Sequence, residues 1–157
     1  MRMEQVVSKT MVRLLGMALM SVLTMPALAS GGLSCETQGG AATVMVESGV
    51  TRGMGSPVFN FRASVDIADL SVAEDLRKLE FGDEHLAQYW LDGEELKMVI
   101  YRERTGEAPH GYVEIVMRTA AGGEGSYEGS YTLNAFDMTD GEGKTVRFDG
   151  TVSCFVE

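Results

Sequence analysis

The chain has 157 residues, of which 45% are hydrophobic and 23% are charged, and its formal net charge at pH 7 is −10. A chain of this length is expected to form one domain around a single core. The negative charge repels phosphate backbones and anionic headgroups, so we expect binding neither to nucleic acid nor to membrane surfaces.

The first 29 residues have the three parts of a secretory signal peptide. Three cations, Arg2, Lys9 and Arg13, precede an apolar run over residues 14–25. After this run, Ala27-Leu28-Ala29 has the A-x-A form of a cleavage site. That run is too short for a transmembrane helix, which needs about 20 apolar residues. We therefore expect cleavage after Ala29, a periplasmic or secreted location, and no membrane insertion after signal removal.

The predicted mature chain, residues 30–157, keeps both cysteines, one near each end. Loss of the leader removes three cations and one carboxylate, so the net charge becomes about −12. In an oxidising compartment an isolated cysteine pair most simply forms a disulfide. A redox-active pair would have its cysteines close together, as in C-x-x-C. We therefore predict a structural disulfide between Cys35 and Cys154.

Alternation of apolar and polar residues predicts the first strands over residues 33–37, 42–47 and 57–67. The third is the clearest, since one face collects five apolar side chains: Phe59, Phe61, Ala63, Val65 and Ile67. The opposite face is polar. Such a pattern is typical of a strand with one face in the core.

A short helix is predicted near residues 71–80. Ser71-Val72-Ala73-Glu74 has the form of a capping box, in which hydroxyl and carboxylate satisfy free backbone donors. Val72, Leu76 and Leu79 then repeat at helical spacing. The alternative is an irregular edge segment over residues 75–81.

Five more strands are predicted in the second half of the chain, over residues 86–90, 95–104, 112–119, 127–136 and 145–155. Asp92-Gly93 between the first two is typical of a tight hairpin turn. Cys154 lies on the apolar face of the last strand, as Cys35 does on the first, so these two strands should meet. The predicted fold is all-β, an antiparallel sandwich or short barrel of about eight strands with one short helix.

No catalytic residue, metal site or cofactor is predicted. His85 and His110 lie in polar loops without a neighbouring nucleophile motif. The acidic segment 137–142 departs from a calcium loop, because Met138 and Thr139 interrupt its oxygens and the glycine comes one position early. The glycines at 122–125 lack the lysine and helix of a phosphate-binding loop.

The strands over 95–104 and 112–119 are apolar on both faces. Leu96, Met98 and Ile100 mark the core side, while the other side carries Val99 and Tyr101 and, on the second strand, Tyr112 and Val116. We expect Tyr101 opposite Tyr112, which would place Glu95 opposite Arg118 as a charge pair.

A second apolar face needs a cover. Either the face formed by Val72, Leu76 and Leu79 packs over it, or it binds a ligand or partner together with Trp90. The predicted binding surface is thus Val99, Tyr101, Tyr112, Val116 and Trp90.

Because no catalytic set is assembled, we expect a small exported non-enzymatic protein that binds a protein or small-molecule partner. One alternative is a lipocalin-like carrier with an apolar ligand inside the barrel, although bulky inward residues such as Phe59, Met98 and Phe148 should fill a small barrel. The other alternative is a carboxylate-dependent hydrolase, for which no spacing selects an acid pair.

Overall fold

The computed structural model describes residues 30–51 and 58–157, so the predicted signal peptide lies outside the described residues. The strands are β1 Ser30–Gln38, β2 Ala42–Thr51, β3 Val58–Ile67, β4 Lys78–Phe81, β5 Leu86–Leu91, β6 Glu95–Glu103, β7 Gly111–Gly123, β8 Ser126–Asp137 and β9 Lys144–Val156. One helical turn, α1 Glu74–Arg77, and a 3₁₀ turn at Asp83–His85 connect β3 to β5. No helix in these segments is long and apolar enough to cross a bilayer.

All nine strands belong to one sheet, in the order β4-β3-β2-β1-β9-β8-β7-β6-β5. Every neighbouring pair is antiparallel. Because β1 lies beside β9, the two ends of the chain meet and the sheet curls into a nearly closed barrel. The predicted all-β class is confirmed, in its barrel form. The ninth strand is the short β4, where a helix was predicted.

A disulfide joins the first strand to the last. Cys35 lies directly opposite Cys154 in the β1–β9 ladder, and the two sulfur atoms are bonded. Both side chains are 4% exposed, on the inner face of the barrel. The predicted disulfide is therefore confirmed, and it links residues that are 119 positions apart.

Side chains fill the barrel. The inner positions of β6, β7 and β8 are buried, with Leu96, Met98, Ile100, Val113, Ile115, Met117 and Leu133 among them. Tyr131 crosses the interior, where its hydroxyl donates to the carbonyl oxygen of Ala42 at 3.1 Å. Its ring occupies the space that a side chain at Gly150 would need, since a Cβ there would lie 2.7 Å from the ring. The absence of a side chain at Gly150 therefore leaves room for the Tyr131 ring in the core.

The seam between the two end strands of the sheet is bridged by side chains. The Asp83 carboxylate accepts a hydrogen bond from the backbone N–H of Phe61 at 2.7 Å. The Tyr89 hydroxyl accepts one from the backbone N–H of Val58 at 3.3 Å. Side chains thus satisfy edge donors of β3 that would otherwise offer a template for pairing with another chain.

The predicted helix is shorter than expected. Only Glu74–Arg77 is helical, Ala73 is its N-cap, and no side chain caps it. The capping box predicted at Ser71 was wrong, because the backbone N–H of Ser71 instead donates to the carboxylate of Asp69. Residues 78–81 pair with the edge of β3, since an unpaired edge offers backbone hydrogen bonds that a nine-residue helix in water cannot match.

The apolar residues of this segment face the barrel interior. Val72 and Leu76 are buried in the core, and Leu79 lies opposite the buried Val65. They close one end of the barrel. The expectation that they cover the outer face of β6 and β7 was therefore wrong.

The alternation in β3 changes phase at Asn60. This residue has a φ of 52°, and the ladder to β2 shifts between Glu47 and Gly49. Phe59 was predicted to point inward but is 38% exposed, with its ring over Gly49. This shift acts like a β-bulge: residues of β3 before Asn60 point to the face opposite to the one that alternation from Phe61 onward would give them.

Arg104 links α1 to the end of β8 at the end of the barrel that Val72 and Leu76 close. Its side chain is 5% exposed and donates to Asp75 of α1 at 2.6 Å and to Asp137 at the end of β8 at 2.7 Å. It also donates to the carbonyl oxygen of Pro109 at 2.7 Å. Hydrogen bonding to Asp75 raises the pKa of Arg104. Burial alone would raise the pKa of Asp137, but hydrogen bonds from Thr139 and Arg104 outweigh burial and lower it.

Candidate functional site

All five residues of the predicted binding surface lie on the outside of the barrel. Val99 pairs with Val116 in the β6–β7 ladder, and Trp90 pairs with Lys97 in the β5–β6 ladder. Their neighbours along the strands point into the core and are buried, among them Met98, Ile100, Ile115 and Met117. We call Trp90, Val99, Tyr101, Tyr112 and Val116 together the outer patch.

The register of β6 and β7 differs from the expected one by two residues. Tyr101 lies opposite Glu114, not Tyr112, and Lys97 lies opposite Arg118. The predicted Glu95–Arg118 pairing was therefore wrong. The loop sets this register, because the backbone N–H of Arg104 donates to the carbonyl of Gly111 at 2.7 Å. A shift of two residues keeps every side chain on its own face, so the outer patch is unaffected.

Aromatic rings cluster at one end of the outer patch. The centroids of Tyr101 and Tyr112 are 5.3 Å apart, and Tyr112 stacks on Phe136 of β8 at 5.1 Å. His110 lies against the rings of Tyr112 and Phe136 at 5.8 Å and 5.7 Å. Phe136 was not among the predicted binding residues. It lies three positions after the buried Leu133 in β8, so alternation along the strand places its side chain on the outer face.

Tyr101 is held in a fixed orientation within this cluster. Its hydroxyl donates to the Glu103 carboxylate at 2.8 Å. Burial among its neighbours, together with that acidic partner, raises the pKa of Tyr101 to about 12. The phenol therefore stays neutral near pH 7, and it presents a rigid apolar surface with one engaged polar end.

A shallow groove of about 320 Å³ occupies the other end of the outer patch, lined by Trp90, Val99, Val116, Lys97 and Arg118 among others. Trp90 is 57% exposed, and its indole N–H donates to Asp92 of the hairpin turn at 2.9 Å. Asp92 also accepts from the backbone N–H groups of the turn, so the indole is anchored to it. The groove combines an exposed aromatic ring with two cationic side chains.

Lys97 and Arg118 differ in whether they have an ionic partner within the chain. Lys97 pairs with Glu95 two residues earlier on β6 at 2.5 Å. Arg118 is exposed, and its guanidinium has no hydrogen bond or ion pair to any residue that the structure describes. Arg118 is thus free to pair with a charge supplied from outside the chain.

A second cleft lies at the closed end of the barrel. It has a volume of about 530 Å³ and an apolar floor that includes Val72, Leu76 and Val146. Asp137, Asp140 and Glu142 stand around it. Asp137 already accepts hydrogen bonds from Arg104 and Thr139, which lower its pKa. A general acid for glycoside hydrolysis needs a raised pKa, so Asp137 is unsuited to that role.

The two histidines have structural partners. The Nδ1 atom of His85 accepts from the backbone N–H of Gly82 at 3.0 Å, and its ring contacts Phe81 edge-on. His110 belongs to the outer aromatic cluster. Within residues 30–51 and 58–157, no three His, Cys, Asp or Glu side chains come together in a way that could hold a metal ion.

Comparisons with known proteins give no match at the level of family, curated protein or solved structure.

Proposed function

We propose that this protein is an exported, non-catalytic binding module that recognises a protein partner through the outer patch. The observation that carries the proposal is that this second apolar face stays accessible, since Trp90 is 57% exposed and the other four residues of the outer patch are half-buried. Val99 and Val116 form an apolar pair on the outside of the sheet, and the helical segment expected to cover them closes the barrel end instead. Contiguous apolar surface of this kind is typical of interaction sites.

The composition of the outer patch favours a protein partner. Protein interfaces are enriched in aromatic residues and arginine, and their strongest contacts are most often made by Trp, Tyr and Arg. The patch combines Trp90, Tyr101 and Tyr112 with the unpaired Arg118 beside them. Tyr112 is fixed by stacking on Phe136 and Tyr101 by its bond to Glu103, so little conformational entropy is lost when a partner binds.

The exported location rests on two features. The pattern of residues 1–29 is that of a secretory signal peptide. The Cys35–Cys154 disulfide is consistent with an oxidising compartment outside the cytoplasm.

The two alternatives are less well supported. A carrier of an apolar ligand needs an internal cavity, whereas Tyr131 and the inner residues of β6–β8 occupy the barrel interior. A hydrolase needs a protonated acid beside a carboxylate, whereas Asp137 in the acidic cleft has a lowered pKa.

Site-specific photocrosslinking tests the proposed function. The photoreactive amino acid p-benzoylphenylalanine replaces Trp90 in the outer patch, and the cells that produce the protein are then illuminated. We expect a discrete protein adduct. The matched control replaces Phe155, an aromatic residue of similar exposure on the outer face of β9, at 47% against 57% for Trp90. Failure to form an adduct at Trp90, or the same adducts from both positions, would count against binding through the outer patch.

A further inference from the structure

Resting on the proposed function, we infer that the protein partner of the outer patch is a second copy of this chain. The inference comes from the order of charges along β7. Three consecutive outward residues of this strand are Glu114, Val116 and Arg118, so an acid and a base stand at equal distances on either side of an apolar residue. Such an arrangement is complementary to itself when it is reversed.

The neighbouring strands extend the pattern. The rung of Val99 and Val116 continues to Thr132 on β8 without a charge, and its next member, Asp149 on β9, is paired with Arg147. On one side of this rung lie Lys97 and Arg118, which are directly opposite each other in the backbone ladder. On the other side lie Tyr101 and Glu114, which are likewise opposite each other. The outer patch therefore has a cationic side and an acidic, aromatic side, separated by an uncharged rung.

A two-fold axis along the uncharged rung brings two such faces together with their strands antiparallel. Arg118 of each copy then faces Glu114 of the other, and the same contact forms twice, as an isologous interface requires. Lys97 of each copy faces the ring of Tyr101 in the other, which allows a cation–π contact. An axis parallel to the strands would place Arg118 against Arg118, and like charges there select against it. The charges thus define a single mode of face-to-face packing.

The acidic surface sets the conditions under which the pair forms. Two copies that each carry about −12 repel one another at long range at low ionic strength. At about 0.15 M salt, charges separated by more than about 8 Å are largely screened, whereas contacts inside the interface are not. The patch covers part of four strands, at the small end of interfaces, so we expect a weak dimer that is detectable at concentrations up to about 200 µM.

A charge exchange between two variants tests the inference. Arg118→Glu places two acids on the patch of each chain, and Glu114→Arg places two bases there. Each variant alone repels its own copy, and its self-association should fall at least about tenfold. An equimolar mixture restores both ion pairs, one in its natural orientation and one with the charges exchanged, because both acids of one chain meet both bases of the other. The mixture should therefore form a heterodimer at least as readily as the natural chain forms its dimer.

Sedimentation velocity at about 0.15 M salt measures all three samples. Recovery in the mixture also shows that both variants fold, since a misfolded chain could not pair. Arg62→Glu, an exposed change of the same charge on β3, is the control and should associate like the natural chain. A natural chain that is monomeric at about 200 µM, or a mixture that stays monomeric, overturns the inference.

The photocrosslinking experiment separates failure of this inference from failure of the proposed function. An adduct of twice the chain mass from the Trp90 position supports a second copy. A discrete adduct of another mass, with a monomeric natural chain, leaves the binding function standing and overturns the self-association. Absence of any adduct together with a monomeric chain overturns both.

Discussion

Removal of the disulfide should cost this barrel a large part of its stability. The Cys35–Cys154 bond closes a loop of 119 residues, almost the whole described domain. In the chain-entropy model, releasing such a loop in the unfolded state lowers the free energy of unfolding by about 5 kcal/mol at 25 °C. A domain of this size has only about 5–15 kcal/mol in total. The variant Cys35→Ala/Cys154→Ala should therefore be close to the limit of folding.

Urea unfolding followed by far-ultraviolet circular dichroism measures the effect, with the oxidised natural chain as reference. The dependence of the unfolding free energy on urea should also steepen, because the unfolded chain expands further without the crosslink. Cys154→Ala alone removes the same crosslink, so its loss should match that of the double variant to within about 1 kcal/mol. A loss below about 2 kcal/mol, or additive losses from the two single variants, would refute the loop-closure reasoning.

Other changes at the barrel end and in its interior have defined outcomes. Arg104→Met leaves the half-buried carboxylate of Asp137 without its counter-charge and should lower the free energy of unfolding by about 2 kcal/mol in urea. The pKa of Asp137 is lowered in the folded state, so its stabilising contribution is present above the ordinary carboxyl pKa of 3.8 and is lost as the pH falls below it. Asp137→Asn should therefore be less stable at neutral pH and should lose less stability on acidification; an acid response equal to that of the natural chain would contradict this. Gly150→Ala places a methyl group against the ring of Tyr131 and should cost about 1–3 kcal/mol, measured by thermal unfolding, and a variant as stable as the natural chain would show that the ring can move aside.

The strands and their faces were predictable because alternation is a local property. A side chain two positions away lies on the same face whatever the register, so Val99 and Val116 could be placed outside before their pairing was known. Phe136 obeys the same alternation and could have been found with them. The prediction failed at Phe59, because the phase change at Asn60 has no signal in the alternation itself.

In the segment 71–80, where a helix was predicted, tertiary contacts override the local preference of the sequence for a helix. The capping pattern and the helical spacing both favour a helix, yet residues 78–81 form a strand on the free edge of β3. That edge exists only once the sheet is assembled, so the sequence of the segment does not contain it. Leu79 packs partly against the core from the strand, as it was expected to do from a helix, so its apolar character could not distinguish the two.

The class of the fold, the pairing of its two cysteines and the faces of its strands, apart from the start of β3, could be read from the sequence. These follow from period-two alternation and from the presence of only two cysteines, which lie on the inward faces of the first and last strands. The order of the nine strands, the β6–β7 register and the accessibility of the outer patch are known only from the folded structure. The strand order depends on contacts between residues far apart in the chain, whereas the register is set by the hydrogen bond between Arg104 and Gly111 in the connecting loop. The order of charges around Val116 follows from alternation along β7, whereas the residues that lie beside it on β6 depend on the register.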